Sequence, residues 1–413
     1  MRVLWFEITT PSAYVNDGQV LGGWQDSLES IVKKEKDIEL IVSFISNSPS
    51  PVRIINGVQY EPIFIHYNFL EKLQKRFTWD IERKAYINAS LSVVKKVNPD
   101  IIHVFGCEFP FGLIADKVSV PVVIHIQGAI IPYHNASYPP GYSVYSFFRR
   151  LWPNFVAQIY VFVKERKEIT RVKMEQKIWE SINYYMGRTK WDESLVKLLS
   201  PSAQYFHVEE ALRQPFWKTN KHWTINTYQR IKLISIGVGT FWKGPDMLLK
   251  TAYILKQSGF DFEWFVAGGI RKDVKKITES NEKLTFEECN IKILGFKSTE
   301  DIIELLTSCN IYVHTAYIEN SPNSICEAQL LGTPIVSTFV GGIDSLITNN
   351  EDGILVPAND PWRMAQSIID VASDNNLQMK LSRNSIEKAR LRHDNHHILT
   401  QLLNCYNSIL KNK

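Results

Sequence analysis

Tyr317-Ile318-Glu319-Asn320-Ser321-Pro322-Asn323-Ser324-Ile325-Cys326-Glu327-Ala328, followed by Gly332-Thr333-Pro334-Ile335-Val336, is the stretch on which the reading of the chain turns. Ser321 is a good N-cap residue, and Pro322 suits the first helical position because its missing N–H would have no partner there anyway. The stretch predicts a helix over 322–331, starting directly after a loop, with strands over 311–314 and 334–338 on either side. The free N–H groups of Asn323, Ser324 and Ile325, at the positive end of the helix dipole, make a binding place for a diphosphate. Glu327 lies about 7–8 Å along the helix axis from Pro322. Glu319 precedes the cap, on the loop leaving the strand. Ligands of open α/β sheets bind beyond the carboxyl ends of the strands. The two carboxylates are therefore placed to reach different parts of one nucleotide-containing ligand, one meeting sugar hydroxyls and the other ribose hydroxyls. The spacing alone fits equally a solvated loop acid and a partly exposed helix glutamate.

Working outward, β-branched runs at 231–236, 262–267, 291–294 and 354–356 alternate with helical segments near 245–256, 299–308 and 362–372. Near-continuous apolar strands separated by helices are the pattern of a parallel sheet covered on both faces. The N-terminal half repeats it, with strands expected at 3–8, 38–44, 101–105, 122–126, 182–186 and 205–208. The expected organisation is α/β: two facing, doubly wound, Rossmann-like domains with a cleft between them. Their bounds read 1–216 for an acceptor-binding domain, 217–228 for a linker, 229–390 for a donor-binding domain, and 391–413 for a C-terminal helix that can pack back on the first domain. Length agrees, since 413 residues at ~150 per domain give two to three domains.

With 45% hydrophobic and 22% charged residues the chain is neither disordered nor membrane-embedded. A formal net charge of +4 is too small to argue for a nucleic-acid partner, which requires many phosphates to be neutralised. The five cysteines are widely spaced without a Cys-x-x-Cys pair, which points to a reducing cytoplasm and away from a thiolate metal site. Met1 to Phe6 meet a carboxylate at Glu7 too soon for a signal-peptide core. The uncharged run Leu151 to Val163 falls short of the ~20 residues that span a bilayer.

A second motif is Ser235-Ile236-Gly237-Val238-Gly239-Thr240-Phe241-Trp242-Lys243-Gly244-Pro245, again strand, glycine loop and helix start. Gly237 and Gly239 permit close backbone approach to a phosphate, and Lys243 supplies a mobile positive charge. It is not a P-loop, because Pro245 stands where Lys-Ser/Thr is required, nor a dinucleotide fingerprint, because Trp242 replaces the third glycine. A tight turn carrying a solvated lysine fits it as well.

Glu319 to Glu327, then Gly332-Thr333-Pro334, Gly341-Gly342 and Asp352-Gly353-Ile354-Leu355-Val356-Pro357, resembles the donor domain of glycosyltransferase family 4, whose members are retaining enzymes of GT-B architecture. Lys243-Gly244, Ala267-Gly268-Gly269 and Leu294-Gly295-Phe296 fall in the order that family uses, so the resemblance covers about 231–372. In the first half it rests on Gly22-Gly23, Pro99-Asp100-Ile101-Ile102-His103 and Pro121-Val122-Val123.

The resemblance implies a nucleotide-sugar donor such as a UDP- or GDP-sugar. Glu327 would be its ribose ligand, Glu319 a contact to the donor sugar near the reacting carbon, and Lys243 a diphosphate ligand. Backbone around Phe296 would meet the base, and Gly22-Gly23 would approach the diphosphate from the first domain. It implies no metal, in keeping with the lack of an Asp-x-Asp motif near the site. Two positions depart from the family. Val238 stands where many relatives place a phosphate-binding arginine, leaving Arg188 or Arg271 as substitutes if the fold brings one in. Gln127 stands where they often end a strand with histidine, and it can hydrogen-bond a sugar but cannot act as a base. His125 faces the other side of that strand and fits a packing role.

Between Ser143 and Glu180 eight Lys/Arg face four Glu, a net +4, interleaved with Tyr145, Phe147, Phe148, Trp152, Phe155, Tyr160 and Phe162. Such a window can rest on an anionic membrane, and equally fits an amphipathic helix packed in the first domain. The expected function is transfer of a sugar to a glycan or lipid-linked acceptor in cell-surface polysaccharide synthesis, in the cytoplasm or at the inner face of its membrane. The alternatives are a GT-B nucleotide-sugar epimerase or phosphorylase, or a catalytically weak subunit that binds nucleotide sugar.

Overall fold

The computed structural model describes residues 1–15, 23–145, 155–226 and 230–411. Gly22, Thr227 and Tyr228 of the linker, the side chain of Tyr160, and Phe147, Phe148, Arg149, Arg150 and Trp152 lie outside the described residues. The chain divides into two compact units. Unit 1 comprises Met1–His134, Asn154–Arg213 and His393–Lys413; unit 2 comprises Asn135–Pro153 and Gln214–Arg392. The stretch Asn135–Pro153 thus belongs with unit 2, although it falls inside the expected first domain. Tyr142 explains part of this: its ring packs against Phe241, Val274 and Ile277, and its hydroxyl donates to Glu282 Oε1 at 2.8 Å.

Unit 1 is built on an eight-stranded sheet. Its strands are β1 (Arg2–Glu7), β2 (Glu39–Ile45), β3 (Arg53–Ile55), β4 (Val58–Ile63), β5 (Ile101–Phe105), β6 (Val122–His125), β7 (Tyr184–Gly187) and β8 (Gln204–His207), in the order β3-β4-β2-β1-β5-β6-β7-β8. Every pairing is parallel except the β3–β4 hairpin, which the sequence reading misses. The hairpin is short and its outer strand only partly buried, so it lacks an unbroken apolar run. In β1, Val3, Leu4, Trp5 and Phe6 are all fully buried, as a central strand with helices on both faces requires.

The segment from about 384 to 410, which reads as one helix in the sequence, belongs to two, Asn375–Arg392 and Asn395–Lys411. Asp394 separates them, its carboxylate accepting from the His397 N–H at 2.9 Å as an N-cap does. The second helix buries Ile398, Leu402, Cys405, Tyr406 and Ile409, spaced on one face, in the core around β1 and β2. The last segment of the chain is therefore part of unit 1.

Unit 2 is built on a six-stranded, all-parallel sheet of β9 (Ile231–Ile236), β10 (Phe262–Ala267), β11 (Ile291–Gly295), β12 (Ile311–His314), β13 (Ile335–Thr338) and β14 (Ile354–Val356), in the order β11-β10-β9-β12-β13-β14. The chain first winds outward from β9 to β11, then returns to lay β12 against the other side of β9. The strand order thus reverses between β9 and β12, and the carboxyl ends of those two strands form the crevice where a ligand of such a sheet belongs.

Candidate active site

Both motifs converge on that crevice. The glycine loop leaves β9 and ends in a short turn, Phe241–Lys243, after which Gly244 (φ 70°) opens helix Pro245–Gln257. The Glu319 loop leaves β12 and opens helix Asn323–Leu331. The two loops are tied together: Thr315 Oγ1 donates to the Lys243 carbonyl at 2.9 Å, and the Tyr317 N–H to the Trp242 carbonyl at 2.7 Å. Gly244 must be glycine, because a Cβ there would lie 1.9 Å from the Thr315 carbonyl oxygen. On the other side Gly341 (φ 53°) presses on the same loop, where a Cβ would sit 1.8 Å from the Glu319 carbonyl oxygen. That carbonyl accepts from the Gly342 N–H at 2.9 Å. The Glu319 backbone is held from two sides.

Held in this way, Glu319 forms an ion pair with Lys243, the carboxylate buried and the ammonium half-buried. His314, at the end of β12, is buried with Nδ1 3.3 Å from Ser337 Oγ. Burial, reinforced by the Lys243 charge, pushes its pKa down to about 3, so the ring is neutral at physiological pH. Tyr312, two residues earlier, donates to Ser324 Oγ at 2.8 Å and lies within the electrostatic reach of both Glu319 and Glu327. Glu327 is itself buried on its helix. Lys243, Glu319, Ser324 and Glu327 therefore gather around the carboxyl ends of β9 and β12. His314 did not stand out in the sequence, where a strand-terminal histidine has many other uses, whereas the pinning Gly244 and Gly341 did, within Lys243-Gly244 and Gly341-Gly342.

The helix start differs from the expected one. Pro322, with extended backbone (φ −74°, ψ 120°), is the N-cap, and Ser321 lies outside the helix with its hydroxyl 4.0 Å from Cys326 Sγ. The Pro322 carbonyl accepts from the Ile325 N–H at 3.0 Å, so Ile325 is not a free donor. The N–H groups of Asn323 and Ser324 have no backbone acceptor among the described residues. The anion-binding end of the helix is thus one donor narrower than the spacing predicts.

Three glycine turns pack side by side along the same edge. A Cβ on Gly239 would lie 3.7 Å from the Gly269 carbonyl oxygen, and one on Gly269 would lie 3.8 Å from Gly295 Cα. Phe296 follows Gly295 and is 79% exposed, a large aromatic ring left in solvent at the rim of the sheet.

The remaining candidates are Val238 and Arg271 in unit 2 and Arg188, Gly23, Gln127 and His125 in unit 1. Val238 is buried in the unit 2 core, so its position faces inward and a charged side chain there would have to be accommodated among apolar neighbours. Arg271 pairs with Asp273 on the surface, and Arg188 is buried in unit 1 against Glu210, with its guanidinium 4.8 Å from the Trp24 ring. Gly23 and Gln127 also lie in unit 1. Gly23 caps helix Trp24–Val32, and the Gln127 carbonyl accepts from Arg188 at 3.4 Å. His125 is a packing residue, fully buried against Trp24 and His103.

Asp352 explains a further motif. Its carboxylate accepts from the Thr348 N–H at 2.6 Å and from Gln329 Nε2 at 3.0 Å, tying the turn before β14 to helix Asn323–Leu331.

Comparison with known proteins follows this geometry. Residues 218–388 match the family model described as glycosyl transferases group 1. The matched residues lie in unit 2, which carries both motifs. Among curated relatives, it is 27% identical over 206 residues to N,N'-diacetylbacillosaminyl-diphospho-undecaprenol alpha-1,3-N-acetylgalactosaminyltransferase of Campylobacter jejuni, covering 50% of this chain and 51% of the relative. It is 25% identical over 169 residues to the capsular polysaccharide biosynthesis glycosyltransferase CapM of Staphylococcus aureus, covering 41% and 44%. The chain spans about half the length, or less, of these relatives.

Among solved structures, the sucrose-phosphate synthase of Thermosynechococcus elongatus superposes with a TM-score of 0.74 at 16% identity, covering all of both chains. HepE of Anabaena, in complex with UDP-glucose, gives 0.66 at 15% identity, covering 99% of this chain and 100% of the other. The expected fold class is the observed one: α/β, with the two parallel-sheet units of the GT-B architecture.

Proposed function

We propose that this protein is a retaining glycosyltransferase that moves a sugar from a nucleotide-diphosphate sugar to a glycan or lipid-linked acceptor in polysaccharide synthesis. The observation that carries the reading is the Lys243–Glu319 pair at the strand-order reversal of unit 2, beside the open N–H groups of Asn323 and Ser324. An ammonium and a helix N-terminus suit a diphosphate, and they do so without a metal. In this reading buried Glu327 takes the ribose hydroxyls, Glu319 the transferred sugar, and the rim near Phe296 the base. The family match supports the reaction class. The relatives named for undecaprenol-linked and capsular substrates, and a similar fold solved with UDP-glucose, support the substrate classes.

In the proposed reaction the acceptor hydroxyl oxygen bonds to the anomeric carbon on the face that the leaving diphosphate vacates. The carbon–oxygen bond to the diphosphate breaks, and the departing phosphate oxygen takes the acceptor's proton. Negative charge grows on that phosphate in the transition state, so Lys243 and the helix N–H groups contribute most where the charge develops. Donor binding also has to loosen the Lys243–Glu319 pair, freeing the ammonium for phosphate and the carboxylate for sugar hydroxyls.

The test is hydrolysis and transfer from UDP- and GDP-sugars by the purified chain. One donor should be consumed with the anomeric configuration kept, and Glu319→Gln should lower kcat about 100-fold or more. Absence of turnover with every donor, together with no effect of Glu319→Gln, refutes the reading. Release of an epimerised sugar would replace it with an epimerase.

A further inference from the structure

The turn that carries Lys243 is three residues long, and its own backbone does little to fix it. The Lys243 N–H donates to the Thr240 carbonyl at 3.1 Å and the Gly244 N–H to the Phe241 carbonyl at 3.0 Å, i to i+3 bonds whose geometry is poorer than that of an α-helix. Tertiary contacts have to set where the lysine stands. On one side Thr315 and Tyr317, from the Glu319 loop, donate to the Lys243 and Trp242 carbonyls.

Tyr142 closes the other side. Phe241, the first residue of the turn, is buried, and its ring centroid lies 5.7 Å from that of Tyr142. Val274 and Ile277 complete the cluster from the helix Lys272–Glu282, and Tyr138 packs against it. Tyr142 is itself fixed, its N–H donating to the Pro139 carbonyl at 2.9 Å.

The Tyr142 hydroxyl adds a polar path to the same turn. It donates to Glu282 Oε1 at 2.8 Å, and that oxygen lies 3.5 Å from Lys250 Nζ. Lys250 pairs in turn with Asp246 Oδ2 at 3.1 Å, in the first turn of helix Pro245–Gln257. Asp246 Oδ2 also accepts from the Tyr317 hydroxyl at 2.8 Å, while the Tyr317 N–H holds the Trp242 carbonyl. The path therefore runs from Tyr142 through Glu282, Lys250, Asp246 and Tyr317 back to the turn whose first ring Tyr142 covers. All of these residues belong to unit 2. A tyrosine that served only as core would need a partner for its hydroxyl, but not one that leads back to the loop it covers.

We infer that Tyr142 is a positioning residue of the donor site: it holds the Phe241–Lys243 turn, so that the ammonium stays at the carboxyl ends of β9 and β12. The inference rests on the reading of Lys243 as the diphosphate ligand. It makes the stretch around Tyr142, which the sequence places in the acceptor-binding domain, a support of the donor site.

The test compares Tyr142→Ala and Tyr142→Phe with the parent in the full chain. Without ligand, amide hydrogen exchange over 239–247 should quicken about tenfold or more in Tyr142→Ala and stay within about threefold of the parent in Tyr142→Phe, which keeps the ring. Affinity for UDP or GDP, whichever the parent binds, and kcat of donor hydrolysis should each fall about tenfold or more in Tyr142→Ala, and Tyr142→Phe should restore both to within about threefold. Tyr142→Leu, which fills more of the volume, carries the same expectation as the alanine variant should that one not fold. A merely structural tyrosine would lower the melting temperature while the folded variant kept the parent's exchange over 239–247 and its nucleotide affinity, and that result overturns the inference alone. A parent that binds neither nucleotide refutes the donor reading and this inference with it.

Discussion

At the scale of single residues, Gly341 shows how the candidate site is made rigid. Its positive φ already disfavours a side chain, and the carbonyl of Glu319 occupies the place of its Cβ. Gly341→Ala should therefore destabilise the fold by about 2–4 kcal/mol. Gly57→Ala, also at positive φ but with nothing within 4 Å, should cost only about 1 kcal/mol. Chemical denaturation of the two variants checks the difference, and equal losses would show that the Glu319 loop yields freely.

Glu108 makes a different residue-level case. It follows β5, and its Oε2 is buried without a hydrogen-bond partner among the described residues. Burial, reinforced by the Glu175 carboxylate, pushes its pKa up from 4.5 to about 7. The folded chain thus keeps a proton that the unfolded chain releases. That contribution is complete below about pH 4.5 and is lost as pH rises to about 7. Glu108→Gln, neutral throughout, should match the parent's stability at pH 4.5 and exceed it by about 1–3 kcal/mol above pH 7. Denaturation midpoints measured across that range give the comparison; a constant difference at all pH values would contradict it.

At the scale of elements, the helix Asn395–Lys411 is fastened by more than apolar burial. The Tyr406 hydroxyl accepts from Trp5 Nε1 at 3.0 Å and shares a hydrogen bond of 2.7 Å with His103 Nδ1. Burial pushes the His103 pKa down to about 3 and leaves the ring neutral beside that hydroxyl. Removing the hydroxyl leaves the Trp5 N–H and the His103 nitrogen buried without a partner. Tyr406→Phe should cost about 1–3 kcal/mol, seen as a lower melting temperature, and an unchanged value would mean that water replaces the hydroxyl.

Strands such as 231–236, 262–267 and 311–314 were readable at this scale because their buried positions are mostly aliphatic or aromatic, with Lys232 and Glu263 at positions that stay partly exposed. Helix ends were less so. Pro322 suits both the cap and the first turn, and only its extended backbone (ψ 120°) separates the two. The break at Asp394 was hidden because helical composition continues on both sides of it.

At the scale of the whole molecule, the donor-side motifs were legible because they sit close together on loops from neighbouring strands of one sheet. Glu319 and Lys243 are 76 residues apart in sequence, yet strand order alone brings β9 and β12 together. Arg188 marks the limit of such reading: its charge suited a phosphate, but a buried Glu210 on another loop claims it. The chain's two crossings from unit 1 into Asn135–Pro153 and back were invisible, since nothing local distinguishes a segment that packs with its neighbours from one that does not.

The central claim is that the crevice of unit 2 holds a nucleotide-diphosphate sugar through Lys243 and the start of helix Asn323–Leu331. Thermal melting of the chain with UDP, GDP and their common sugars tests it most directly, because a ligand that binds only the folded state raises the melting temperature. One nucleotide series should raise it by about 2–4 °C near saturation, and Lys243→Ala should abolish most of that rise. No shift with any nucleotide, or a full shift retained in Lys243→Ala, would contradict the assignment.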